Sequence, residues 1–95
     1  MRIVIDRPCR FPSGRLAFTP GVAAEIDVEE LAVALIRHVQ GDWGLVCEED
    51  RLENELSLEH GFRLMSVYES SKGKRFWIIT EADRSVTTVL LPEEY

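Results

Sequence analysis

Ninety-five residues, 45% of them hydrophobic and 29% charged, have the balance of one ordinary globular domain with one core, not that of a disordered chain or a membrane protein. Seventeen acidic against eleven basic residues leave a formal net charge of -6, which disfavours sequence-independent binding to a phosphate backbone and is compatible with a basic protein partner.

The first segment, "MRIVIDRPCRF", has an apolar run of three residues, too short for a signal-peptide core. No stretch approaches the roughly 18 consecutive apolar residues of a membrane helix. A cytoplasmic protein without membrane contact is therefore expected. "RIVI" and "RLAFT" are strand-like and flank a loop holding Pro8, Pro12 and Gly14, so residues 1–20 are expected to form an N-terminal hairpin at the edge of a sheet. The two cysteines, Cys9 and Cys47, belong to no CxxC pair and are expected to be reduced, small core residues.

"IDVEELAVALIRHVQG" carries apolar residues at Val28, Leu31, Ala32, Leu35, Ile36 and Val39, one face of a helix. Asp27 stands at its N-cap, Glu30 at the capping-box position, Ile26 and Leu31 at staple positions, and Gly41 at its end. After the tight connection "GDWGLVC", a second helix is predicted from Glu48 to His60, with Leu52 and Leu56 as a narrow apolar stripe and Phe62 folding back on Leu56 beyond Gly61. The two helices together span residues 27–60. From residue 62 to 91 the period becomes that of strands: "FRLMSVYES", "RFWIIT" and "VTTVLL" are separated by the turns "SSKGK" and "EADRS". The expected fold is a single α+β domain, residues 1–95, with two helices packed on one face of an antiparallel sheet of three to five strands that ends in a three-stranded meander.

Chemistry-bearing residues are few. His38 is placed a quarter-turn off the centre of the first helix's apolar face, as a general acid or base at a groove rim or as a boundary residue complementing the helix dipole. Asp42 and Trp43 lie between Gly41 and Gly44, where the indole either plugs a gap between helices or offers an aromatic recognition surface. Three successive carboxylates, Glu48, Glu49 and Asp50, point in different directions on a helix and suit its positive end better than a metal. Cys47, His38 and Asp42 lack the elbow of a nucleophile site, and no GxGxxG or GxxxxGK motif occurs. Arg84 and Asp83 in the last turn, Arg63 and Tyr68 on the first meander strand, and Thr87 or Thr88 on the last, form a polar set beside the strands. Asp83 with Ser85 also makes an ordinary turn, and threonine is an ordinary strand residue. No metal or other cofactor is expected.

The phrases "RHVQGDWG", "EEDRLENE", "RLMSVY" and "WIITEADRSVTTVLLPEEY" resemble, from about residue 14 onward, a family of small bacterial proteins of plasmids and other mobile elements, labelled plasmid-related protein or subunit M of a type I restriction endonuclease. The family brings no activity with it, and 95 residues are too few for a methyltransferase fold. A more distant similarity is to the barnase, colicin and RelE-like ribonucleases. It implies roles for His38, Arg63, Tyr68, Arg84, Thr87 and Thr88, because metal-free RNA cleavage needs a base, an acid and a cation for the phosphate. Only Lys72, Lys74 and Arg75 form a basic cluster, and they sit in a hairpin turn. The leading expectation is a non-enzymatic, protein-binding accessory factor, linked to defence or anti-defence, that engages its protein partner through an acidic surface and Asp42, Trp43, Asp83 and Arg84. The alternative is a metal-independent ribonuclease acting on RNA with His38, Arg63, Tyr68, Arg84 and Thr88. Neither expectation specifies an oligomeric state.

Overall fold

A computed structural model describes residues 8–95. Strand β1 (Arg15–Phe18) leads through helices α1 (Pro20–Glu25), α2 (Val28–Val39) and α3 (Glu48–His60) to strands β2 (Leu64–Glu69), β3 (Arg75–Thr80) and β4 (Val86–Leu90), and a 3-10 turn (Pro92–Glu94) follows. The chain is α+β, as its periodicities indicate, and the last three strands are the expected antiparallel meander. The strand order is β1-β4-β3-β2, and β1 runs parallel to β4, with Arg15 opposite Val86 and Phe18 opposite Val89. The sheet is therefore mixed. The first half of the expected hairpin, "RIVI", lies outside the described residues; its second half finds its partner at the far end of the chain.

A third helix, α1, was not expected. Thr19 caps it by accepting the Val22 amide at 3.4 Å, Pro20 supplies a preset first turn, and Val22 is wholly buried. In α2 the buried face is Leu31, Ala34 and His38, with Leu35 packed beside it. This face is turned about a quarter-turn from the one expected, at about 100° per residue. Val28 is accordingly 77% exposed. Asp27 occupies the N-cap without a side-chain bond. Glu30 does not close a capping box either: its carboxylate accepts the Ser71 amide at 2.6 Å, tying α2 to the β2–β3 turn.

Helix α3 departs most from its sequence reading. Its buried residues are Asn54 and Ser57, while Leu52 and Leu56 are 50% and 51% exposed. Asn54 explains the rotation, since its side chain donates to the Met65 carbonyl at 2.8 Å and accepts the Met65 amide at 3.1 Å, satisfying the outward backbone of edge strand β2. Gly61 ends α3 in the left-handed conformation, its amide on the Ser57 carbonyl, as expected. Phe62 is 58% exposed beside the His60 ring rather than folded onto Leu56. Cys9 and Cys47 are also exposed rather than core residues, Cys47 because it occupies the N-cap of α3.

The turn between α2 and α3 completes the β2 edge. The Val67 amide donates to the Trp43 carbonyl and the Leu45 amide to the Val67 carbonyl. Gly44 has φ 73, and a Cβ there would stand 2.1 Å from the Val67 carbonyl oxygen, so this bridge requires glycine. The main core, between α1, α2 and the sheet, includes Val22, Ile26, Leu31, Ala34, Tyr68, Phe76, Ile78, Val89 and Leu91; a second cluster gathers Phe11, Trp43 and Leu64.

Candidate functional site

Strand alternation and register put Leu64, Ser66, Ile78, Thr80, Thr87 and Val89 on the helix-covered face of the sheet. Three buried hydroxyls thus join the histidine that α2 buries, two of them directly and the third through Thr80. His38 Nδ1 lies 2.5 Å from Ser66 Oγ and Nε2 lies 2.8 Å from Thr80 Oγ1; Thr80 Oγ1 is 2.7 Å from Thr87 Oγ1, which donates to the Ser13 carbonyl at 2.6 Å.

The direction of this line follows from its end. A carbonyl only accepts, so the Thr87 proton goes to Ser13 and the Thr80 proton to Thr87. Thr80 must then accept from His38 Nε2–H, which leaves Nδ1 as the acceptor for the Ser66 proton. The imidazole is neutral and in one tautomer, and burial holds its pKa down at about 3. Phe11 and Trp43 close over it with edge contacts at 5.2 and 5.8 Å between ring centroids. His38, Ser66, Thr80 and Thr87 are all fully buried, and both ring nitrogens are occupied. This arrangement organises a core; it offers no proton to a molecule outside.

The other expected site residues are held by local structure. Trp43 is 4% exposed and plugs the gap under α2, its Nε1–H donating to Glu55 at 3.0 Å. Glu55 also takes a forked pair of bonds from Arg10 at 2.8 and 2.9 Å, and these hold its carboxyl below the usual range. Asp42 pairs with Arg37 at 2.7 Å, its side chain accepts the Gly44 amide at 3.3 Å, and its carbonyl takes the Tyr68 hydroxyl proton at 2.5 Å. Burial raises the Tyr68 phenol well above its ordinary pKa, so it stays a donor, and the Arg37 guanidinium lies over its ring at 4.8 Å.

Arg84, the one non-glycine described residue with positive φ, acts as a clamp. Its guanidinium donates to the carbonyls of Phe62 at 2.5 Å, Ser57 at 2.9 Å and Glu81 at 3.2 Å, and lies over the Phe11 ring at 5.8 Å. The Phe62 carbonyl just beyond α3 thereby gains a donor, and the Ser57 carbonyl, which already accepts the Gly61 and Phe62 amides, gains a further one. Asp83 accepts the Ser85 amide at 3.0 Å within the turn, and bonds from Ser85 lower its carboxyl pKa. Arg63 donates to the Tyr95 hydroxyl at 3.0 Å and approaches Glu81 at 3.7 Å. Thr88 sits opposite Ile79 and Ala17 on the face of the sheet away from His38. His38 and Tyr68 are thus under the helices, Thr88 is on the opposite face, Arg63 is beside the C-terminal tyrosine, and Arg84 is at the end of α3. Phe11 packs against both His38 and Arg84, but these residues do not line one cleft.

What the polar residues leave open is the outer face of α3. Leu52 and Leu56 border an open groove of about 610 Å3 with Arg10, Glu55, Leu58 and Glu59. Six of the thirteen residues of α3 are carboxylates and one, Arg51, is basic; Arg51 is itself paired with Glu48 at 2.6 Å. The leucine spacing was visible in the sequence, but its assignment to the core hid its exposure. Among the described residues, no group of three or more His, Cys, Asp or Glu side chains is placed to hold a metal, and no helix is long and apolar enough to cross a membrane. No protein-family model, curated protein or solved structure matches the chain.

Proposed function

We propose that the chain is a non-enzymatic, protein-binding accessory domain of the mobile-element type its phrases resemble, working in the cytoplasm, and that α3 is its binding surface. The observation that carries this reading is the pair of half-exposed leucines, Leu52 and Leu56, on a helix lined with carboxylates. Exposed apolar side chains within a charged rim are the composition of an interaction patch. The free, exposed thiols of Cys9 and Cys47 suit a reducing compartment. The ribonuclease alternative assigns acid–base work to His38, which would have to reach RNA, whereas both its ring nitrogens are bonded inside the core.

Affinity capture from a native host under gentle conditions tests the reading. Recovery of a stoichiometric protein partner is expected, and recovery of none counts against it. Incubation of the purified protein with RNA in chelator is expected to leave the RNA intact.

A further inference from the structure

We infer that the outer face of α3 receives a basic amphipathic helix, whose apolar side chains pack against Leu52 and Leu56 while its lysines or arginines meet the flanking carboxylates. This deepens the protein-binding reading and rests on it. The helical repeat of 3.6 residues places Leu52 and Leu56 one above the other. It sets Glu48, Glu55 and Glu59 along one flank of the pair and Glu49 and Glu53 along the other. Of these, Glu49, Glu53 and Glu59 form no ion pair among the described residues. The result is an apolar ridge between two negative margins.

That charge pattern selects among occupants. A second copy would bring the same carboxylates against these, and an anionic lipid surface or a nucleic acid would be repelled in the same way. A positively charged partner is attracted and oriented. The backbone selects among partner conformations. Strand addition needs an open edge, yet β2, the edge nearest α3, is occupied at Val67 by Trp43 and Leu45 and at Met65 by Asn54. A ridge of residues four apart is what a second helix packs against.

The test titrates the full chain with a Leu/Lys peptide whose leucines recur at i, i+3 and i+4, and with a peptide of the same composition and charge in which leucine and lysine alternate. Amide shifts are recorded by NMR. The inference expects shifts concentrated on Glu48–His60, binding that weakens at least threefold between low and physiological salt, and a loss of about tenfold or more in Leu52→Ser/Leu56→Ser. Equal binding of the alternating peptide, shifts spread over all acidic surfaces, or undiminished binding by the double variant would each overturn it. So would self-association in sedimentation that the double variant abolishes, which would make the occupant a second copy. Methyl contacts from Leu52 and Leu56 to residues 1–7 in the free chain would overturn it in favour of the chain's own start. A captured cellular partner that survives the double substitution would sink this inference and leave the broader reading standing. A peptide bound at α3 with no partner captured from the host would do the reverse.

Discussion

Replacing His38 by glutamine gives the most direct test of the buried polar line. Glutamine retains a donor and an acceptor but cannot titrate. In the wild-type protein burial lowers the His38 pKa from its ordinary 6.5 to about 3, so below neutrality the unfolded chain takes up a proton that the folded chain refuses. The sign follows directly: the stability contributed by the neutral histidine is complete above about pH 6.5 and is lost progressively as pH falls toward 3. At about 1.4 kcal/mol per pH unit, the full window is worth about 5 kcal/mol, and the part between pH 7 and 4.5 about 2–3 kcal/mol. Urea unfolding followed by tryptophan fluorescence at several pH values measures it. Carboxylates held below their usual range, Glu55 among them, also weaken the fold in acid, but they do so in both proteins. The observable is therefore the difference in slope. The His38→Gln variant should start about 1–3 kcal/mol less stable at pH 7 and then lose about 2–3 kcal/mol less than wild type by pH 4.5. Parallel curves would refute the neutral, enclosed imidazole.

Three further outcomes follow from the geometry. Gly44→Ala should cost about 2–4 kcal/mol in thermal or urea unfolding, because a Cβ 2.1 Å from the Val67 carbonyl forces the bridge apart at a positive φ. Arg84→Ala should cost about 1–3 kcal/mol by leaving the Phe62 carbonyl short of a donor and releasing the tie to Ser57, and Arg84→Lys should restore little, since a single ammonium does not reproduce the guanidinium fork; full rescue by lysine in a urea titration would contradict the clamp. Leu52→Ser/Leu56→Ser should change unfolding free energy by no more than about 1–2 kcal/mol, because both side chains are already half in water; a loss of 4 kcal/mol or more would place them in the core.

The elements with a long, clean period were legible. The α2 helix and the three-stranded meander show theirs over enough residues to be recognised, and Gly61 marks the end of α3. What failed was local signal that only tertiary partners decide. Helix α1 is six residues long and begins with proline and glycine, which read equally as a turn. The pairing of β1 with β4 joins segments some seventy residues apart, and no turn chemistry announces it. The burying face of α3 could not be foreseen, because Asn54 turns inward only where an edge strand presents the Met65 amide and carbonyl.

The site residues divide in the same way. His38 was placed near the rim because it lies a quarter-turn off the centre of the expected apolar face, and the face that α2 buries is turned by that same amount. Its partners, Ser66 and Thr80, are 28 and 42 residues away. The two threonines of β4 were correctly sent to opposite faces by alternation, but that Thr87 would join, through Thr80, a line ending on a histidine depended on where α2 lies. Arg84 carried a visible charge; what it holds is backbone, which no residue pattern displays.

The polar line also bears on how the strands find their alignment. A slip of one residue between β3 and β4 would turn apolar side chains outward and is rejected by alternation alone. A slip of two keeps every side chain on its own face, and greasy contacts discriminate against it poorly. Here it would set Thr80 opposite Val89, or Ile78 opposite Thr87, in place of the native Thr80–Thr87 pair. Each orphaned donor or acceptor inside the core costs about 1–3 kcal/mol, and His38, Ser66, Thr80 and Thr87 are linked, so one displacement strands several at once. The hydroxyls and the imidazole work as locating pins: they contribute modestly to how tightly the sheet holds and strongly to which of its near-equivalent alignments it adopts.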